Sequence, residues 1–263
     1  MTGATRPPSS RLRAYARIAG LAGLFLAYLP PHLAAKWLTG KSPWPPRFLA
    51  AAGRIAGARA QVHGQPLAPR SLVVANHVSW LDILILGGAT GTAFVSKAEV
   101  GRVPLIGWLA DQNHTLYIDR AERGDAHGQV RRIAERLAGD KALAIFPEGT
   151  TGDGKALLPF TPTLLHAVAP PPAGVEVRPV AIHYGEDTHA IAWHSGEQGL
   201  ANALRVLGLA GTRRVTVRLL DPLPPLADRK QLARAAHAAI TDALLSAPPS
   251  SAPPPDALMA ATK

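Results

Sequence analysis

From Ser71 to Leu220 the chain alternates short apolar, β-rich runs with stretches long enough for a helix, and this alternation constrains it to an α/β domain. The runs are Ser71 to Ala75 (SLVVA), Thr92 to Ser96 (TAFVS), Thr115 to Asp119 (TLYID), Ala142 to Phe146 (ALAIF), Val175 to Ile182 (VEVRPVAI) and Arg214 to Leu220 (RVTVRLL). Several are apolar at nearly every position, as strands are when both faces of a sheet are covered. Between them, His127 to Ala138 sets Val130, Ile133, Ala134 and Leu137 at helical spacing before Gly139 stops it. Arg229 to Leu245 is a second amphipathic helix, rich in Ala. The expected fold is a largely parallel or mixed central sheet flanked by helices. Ala169 to Gly174 (APPPAG) reads as a surface loop, and the Pro/Ser-rich tail 247–263 as disordered.

Charge divides the chain. The first acidic residue is Asp82, and ten Lys and Arg precede it; from there on Lys and Arg balance Asp and Glu, so the whole excess of +10 lies ahead of Asp82. That segment also carries Trp37, Trp44 and the run Ile18 to Leu29 (IAGLAGLFLAYL), apolar on all sides. Nucleic acid offers such a run nothing to bury against, whereas an anionic lipid surface does. The run falls short of the roughly 20 residues that span a bilayer. A helix lying in the interface, or dipping in and returning at Pro30–Pro31, fits better than a span. The expected organisation is a basic, apolar membrane-anchoring helical segment over 1–60, an α/β domain over 61–246 and the tail. With no cysteine, disulfide scaffolds, zinc–thiolate sites, iron–sulfur clusters and cysteine nucleophiles are excluded.

The densest chemistry lies in ANHVSWLDILIL, where a strand ending at Ala75 runs into Asn76 and His77 and an apolar helix opens at Ser79. Ser79-Trp80-Leu81-Asp82 matches a capping box, which accounts for Ser79 and Asp82 but not for His77. His77 and Asp82 cannot share a face of one continuous helix, since a separation of five leaves them about 140° apart. Across a strand-to-helix corner they can meet, the carboxylate fixing the tautomer and leaving the other ring nitrogen as a base. Three further segments carry polar groups at strand ends: Tyr117-Ile118-Asp119-Arg120, Phe146 to Thr150 (FPEGT) with Glu148 and Gly149, and Arg178 to Ile182 (RPVAI). Such ends converge on one crevice in open α/β sheets.

These blocks, in this order, resemble the glycerolipid acyltransferases typified by 1-acylglycerol-3-phosphate acyltransferase. The first block, Asn-His-x4-Asp, stands at Asn76 to Asp82, the Asp-Arg block at Tyr117 to Arg120, Phe-Pro-Glu-Gly-Thr at Phe146 to Thr150, and the Pro-containing strand at Val177 to Ile182. The linking segment FVSKAEVGRVPLIGWLA, with Lys97, Pro104 and Gly107, is also similar. The resemblance implies acyl transfer without a covalent acyl-enzyme, from acyl-CoA or acyl carrier protein to a lysolipid hydroxyl, with no metal and no other cofactor. His77 would be the base and Asp82 its partner; Asn76, Ser79, Lys97, Arg120, Glu148, Gly149 and Thr150 would form the substrate site, Arg120 holding a phosphate. The implied acceptor is 1-acylglycerol-3-phosphate, giving phosphatidic acid, at the cytoplasmic face of an inner membrane.

Two departures bear on that acceptor. Many members continue with a phosphate-binding Arg where this chain has Thr151-Gly152-Asp153-Gly154, and His114 stands where a small residue is common. The continuation resembles the branch that acylates lyso-ornithine lipid, whose headgroup carries a carboxylate, and Arg120 could fork onto either anion.

Other functions fit less well. Gly149 to Lys155 reads Gly-x4-Gly-Lys, a phosphate-binding loop up to its last position, but Ala156 lacks the hydroxyl for magnesium and Pro159 would break the helix it must open. His183, His189 and His194, with Asp187 and Glu197, match no metal-ligand spacing. A non-enzymatic membrane or nucleic-acid binding module is the remaining alternative, resting on the basic segment ahead of Asp82.

Overall fold

The structure, a computed structural model, describes residues 9–118 and 126–246. Among these, seven strands form one sheet: β1 (Ala58–His63), β2 (Ser71–Ala75), β3 (Ala93–Lys97), β4 (Leu116–Ile118), β5 (Leu143–Ile145), β6 (Glu176–His183) and β7 (Arg213–Leu219). The α-helices in the described residues are α1 (Arg11–Thr39), α2 (Trp44–Ile55), α3 (Leu81–Thr90), α4 (Ala98–Gly101), α5 (Ile106–Gln112), α6 (Ala126–Leu137), α7 (Thr188–Ile191), α8 (Gly199–Gly208) and α9 (Arg229–Leu245). The spatial order of the strands is β1-β7-β6-β2-β5-β3-β4. Neighbours run parallel except β6 and β7, which pair antiparallel from Val180 opposite Leu219 to His183 opposite Thr216. The sheet is therefore mixed, with five strands in one direction and β1 and β7 in the other. All six expected runs are strands, displaced by at most one position at either end.

Both faces are covered, and this is why β2 is buried at every position. Leu72 and Val74 point into a core with Ile133 and Leu137 of α6 and Leu232, Ala236 and Ile240 of α9. Val73 and Ala75 point the other way, toward Leu81, Ile85 and Leu86 of α3 and Val206 of α8. The Asp228 side chain accepts from Gln231 N at 2.7 Å and so caps α9 at the start expected from sequence. Of the expected surface loop Ala169 to Gly174, Pro170 to Gly174 lie at the surface, whereas Ala169 is buried in the core. The tail lies outside the described residues.

The segment ahead of Gln61 holds more than a loose anchor. Strand β1 straddles position 60, so the sheet begins inside the segment read as membrane anchor. Helix α1 continues through Pro30 and Pro31, so the chain does not turn back there as the dipping alternative required. Proline keeps a helical φ, and the two carbonyls it deprives of a partner, those of Leu26 and Ala27, lie on an exposed stretch of helix. One side of α1 docks on the domain. Arg17 donates to the carbonyls of Leu207, Leu209 and Gly211 at 3.0, 3.0 and 2.8 Å, gripping the end of α8. Phe25 meets Trp108 of α5 edge to face at 5.8 Å, and Tyr28 meets Trp44 of α2 at 5.3 Å. The opposite side exposes Leu26, Leu33, Trp37 and Leu38. An all-round apolar helix thus divides its surface between protein and solvent, and by length and composition it could also cross a bilayer.

Candidate active site

Strand β2 lies between β6 and β5, all three parallel, so their carboxyl ends open on one edge of the sheet. Asn76 follows β2 and fastens it to β6 after regular pairing has stopped. Its Oδ1 accepts from Ile182 N at 2.7 Å and its Nδ2 donates to Ile182 O at 3.0 Å, in a buried setting. The next residue, His77, is thereby aimed along the edge. Phe146, just past β5, stacks on the His77 ring at 4.1 Å and 19°, and Phe94 of β3 lies behind Phe146 at 6.0 Å.

The corner between β2 and α3 brings Asp82 to His77 as a strand-to-helix turn allows. Asp82, fully buried in the first turn of α3, accepts on Oδ2 from His77 Nδ1 at 2.8 Å, from Val78 N at 2.7 Å and from Ser79 N at 2.9 Å. The N–H groups at a helix start have no partner within the helix, and a carboxylate there satisfies them in the favourable field of the helix dipole. This is the reciprocal half of the expected capping box. The other half is weak, since Leu81 N lies 3.4 Å from Ser79 Oγ. Ser79 is fully buried, so its place is structural in this arrangement. A carboxylate only accepts, so Nδ1 carries the hydrogen and Nε2 keeps its lone pair. The His77 side chain remains 19% exposed, enough for a reactant to reach one edge.

Asp82 Oδ1 is occupied by Tyr184, the residue after β6, whose hydroxyl donates at 2.5 Å. Tyr184 was not foreseen from sequence. Burial, and then the neighbouring Asp82 charge, push its hydroxyl well above the ordinary tyrosine range, so it stays a neutral donor.

Glu148 reaches His77 through the backbone. One carboxylate oxygen accepts from His77 N at 2.5 Å and the other from Leu158 N at 3.0 Å. Burial pushes the Glu148 carboxyl up to about 7, against the two N–H groups, which pull it down. Gly149 turns the chain at φ 76°, a conformation that other residues rarely adopt. Further along, Gly152 N donates to His77 O at 2.9 Å, so both backbone groups of His77 are held by the turn after β5. Thr150 is exposed beside it.

The other expected residues fall less close together. Lys97 ends β3 on the same edge of the sheet and is exposed. Asp119 and Arg120 lie outside the described residues. Arg178 sits near the start of β6, opposite the site, because β6 runs parallel to β2; it donates to Gln65 O at 3.1 Å and faces Glu176 at 3.5 Å. Among the described residues no helix opens directly after Lys155, so Gly149 to Lys155 lacks the architecture of a nucleotide phosphate loop. The rings of His189 and His194 are 4.7 Å apart, but Glu197 is engaged by Arg205 at 2.8 Å, which holds its carboxyl down at about 2. Among the described residues no group of three or more metal-ligating side chains is assembled.

A model of the acyltransferase family matches residues 59–183, from β1 to the end of β6. The lyso-ornithine lipid O-acyltransferase of Rhodobacter capsulatus is 34% identical over 254 residues, covering 89% of this chain and 92% of that protein. The enzyme of the same name from Pseudomonas aeruginosa is 45% identical over 183 residues, 67% of this chain and 69% of that one. A 1-acyl-sn-glycerol-3-phosphate acyltransferase of Neisseria gonorrhoeae is 35% identical over 117 residues, 44% of this chain and 45% of that protein. In fold, the chain is similar to the crystal structure of the 1-acyl-sn-glycerophosphate acyltransferase of Thermotoga maritima, with a TM-score of 0.63 at 20% identity over 89% of this chain and 92% of that one.

Proposed function

The chain belongs to the glycerolipid acyltransferase family and acylates lysolipids; from that premise we propose that its acceptor is lyso-ornithine lipid and that His77 is the general base. The observation that carries the chemistry is the His77–Asp82 pair, with Nδ1 tied to a buried carboxylate and the imidazole still partly exposed. Nε2 takes the proton from the acceptor hydroxyl as its oxygen attacks the thioester carbonyl carbon of acyl-CoA or acyl carrier protein. The tetrahedral intermediate collapses, the carbon–sulfur bond breaks, and the imidazolium returns its proton to the departing thiolate. A thioester is already activated, so the reaction asks for no metal and no further cofactor.

The acceptor is where the two family readings divide. The sequence pattern puts 1-acylglycerol-3-phosphate first and lyso-ornithine lipid second. The relatives matched over most of their length favour the second. So does Thr151-Gly152-Asp153-Gly154, where Gly152 touches the His77 carbonyl and no Arg is present to meet a phosphate.

Both acceptor and product live in lipid, and the exposed side of α1 fits that surface. Val103, Leu105 and Ile106, ahead of the Trp108 that packs on Phe25, are exposed as well, and Lys36 and Lys41 are exposed near the end of α1. A helix lying on the cytoplasmic face of an inner membrane, where thioester donors are made, brings these groups to one interface. Vesicles of anionic lipid should sediment the protein more strongly than neutral ones.

The test is thiol release from a long-chain acyl-CoA by the detergent-solubilised protein, offered lyso-ornithine lipid or lysophosphatidic acid, with His77→Ala alongside. The expected result is release with lyso-ornithine lipid and a loss of about 100-fold or more in the variant, as for a general base. Release with lysophosphatidic acid alone would reverse the acceptor assignment, and an active His77→Ala would refute the mechanism.

A further inference from the structure

We propose that Tyr184 is a positioning residue for the base: its hydroxyl, bonded to Asp82 Oδ1 at 2.5 Å, sets how firmly the His77–Asp82 pair holds a proton. The inference rests on the reading of His77 as general base. Asp82 Oδ2 is shared among His77 Nδ1, Val78 N and Ser79 N, which leaves Tyr184 as the donor to Oδ1 among the described residues. Both side chains are buried from solvent, so no water can take its place without rearrangement. A buried carboxylate oxygen without a donor concentrates charge and binds a proton more tightly. The tyrosine draws that charge off, and with its hydroxyl held neutral by burial it does so across the working pH range.

The position argues against a residue that merely fills space. A phenylalanine would pack equally well at the end of β6, among the apolar residues of the same core. The hydroxyl is directed at the one carboxylate that orients the base, and it comes from a different element than either member of the pair. Among the described residues, the ionisable groups around the pair are Tyr184 from the end of β6 and Glu148 from the turn after β5, the latter acting on both His77 and Asp82. Glu148 is unchanged by a substitution at 184, so a shift on altering the tyrosine reports the tyrosine.

The experiment compares kcat/KM against pH for the full chain and for Tyr184→Phe, measured by thiol release with the best lysolipid acceptor. The acid limb should move to higher pH by about 0.5 to 1 unit, as expected for losing one hydrogen bond to a charged group. In an Asp82→Asn background, Tyr184→Phe should leave the residual rate within about twofold, because the charge it acts on is gone. A lower melting temperature with the acid limb unmoved would show a structural role only and overturn the proposal. His77→Ala separates the two readings: if it is inactive while the limb stays put, only the role of Tyr184 fails, whereas an active His77→Ala overturns both. Should Tyr184→Phe not fold, a second route keeps Tyr184 as the sole tyrosine by changing Tyr15, Tyr28 and Tyr117 to Phe. Fluorotyrosine incorporated into that chain is the stronger donor, and the limb should then move to lower pH; no movement would again overturn the proposal.

Discussion

Asp82→Asn should separate the electrical role of this residue from its structural one. Three donors converge on Oδ2, so an asparagine carbonyl must take that place, and its amide nitrogen falls where Oδ1 now faces Tyr184. The tyrosine hydroxyl can rotate to accept, so the corner keeps its bonds and the fold loses no more than about 1 kcal/mol. What disappears is the charge. An imidazolium and a carboxylate with centres about 4 Å apart attract by roughly 4 kcal/mol at an effective dielectric near 20. At about 1.4 kcal/mol per factor of ten, losing most of that from the transition state lowers kcat by about 100- to 1000-fold. Asp82→Ala differs, because the His77 ring, Val78 N, Ser79 N and the Tyr184 hydroxyl all lose a buried partner, at a cost of about 3 to 5 kcal/mol. Thiol release at saturating acceptor gives kcat, and urea unfolding gives the stabilities. An Asp82→Asn enzyme retaining more than about a third of wild-type kcat would refute the electrostatic argument.

Asn76→Ala strips partners from both backbone groups of Ile182 in a buried setting, and its urea midpoint should correspond to a loss of about 2 to 4 kcal/mol. A loss under about 0.5 kcal/mol would mean that β2 and β6 hold together at this edge without it. Glu148 has its carboxyl pushed up to about 7 from an ordinary 4.5, so its protonated form stabilises the folded chain fully below pH 4.5 and ceases to do so as pH rises through 7. That contribution amounts to about 3 kcal/mol, so the wild type should lose stability across this window more steeply than Glu148→Ala. Parallel curves would place the carboxyl near its ordinary value. Arg17→Ala removes three bonds to the carbonyls closing α8, and should cost about 1 to 3 kcal/mol while opening the region around α1 to limited proteolysis. An unchanged cleavage pattern would show that the aromatic contacts of α1 suffice.

Strands covered on both faces announce themselves, because nearly every position is apolar, and β2, β5 and β6 were legible for that reason. Strand β1 was not: it lies at the edge of the sheet, all but its first residue are at least partly exposed, and its sequence ARAQVH carries no such signal. The two prolines of α1 misled in the opposite sense, since they weaken a helix without ending one whose neighbours hold it in place. Within the site, His77 and Asp82 were readable because a corner between strand and helix is local, and spacing alone decides which side chains can meet. Tyr184 was hidden because it meets Asp82 only through the pairing of β6 with β2, 102 residues away in sequence. A tyrosine at the end of an apolar run reads as core until that pairing is known.

The same non-local contacts tie His77 to helix α1. His77 is held by Asp82 from α3, by Phe146, Glu148 and Gly152 from beyond β5, and, through Asn76, by β6. Trp80, at the same corner, donates from its indole to Asn202 of α8 at 3.1 Å. Helix α8 ends in the carbonyls that Arg17 grips, and Arg17 belongs to α1. A chain of packed, hydrogen-bonded elements therefore runs from α1 to the corner that carries His77. An anchor joined by a free linker would leave the site to find its acceptor by diffusion. Here the docking of α1 fixes the angle between its exposed apolar side and the open edge of the sheet, so settling that side on lipid would orient the site at the same time.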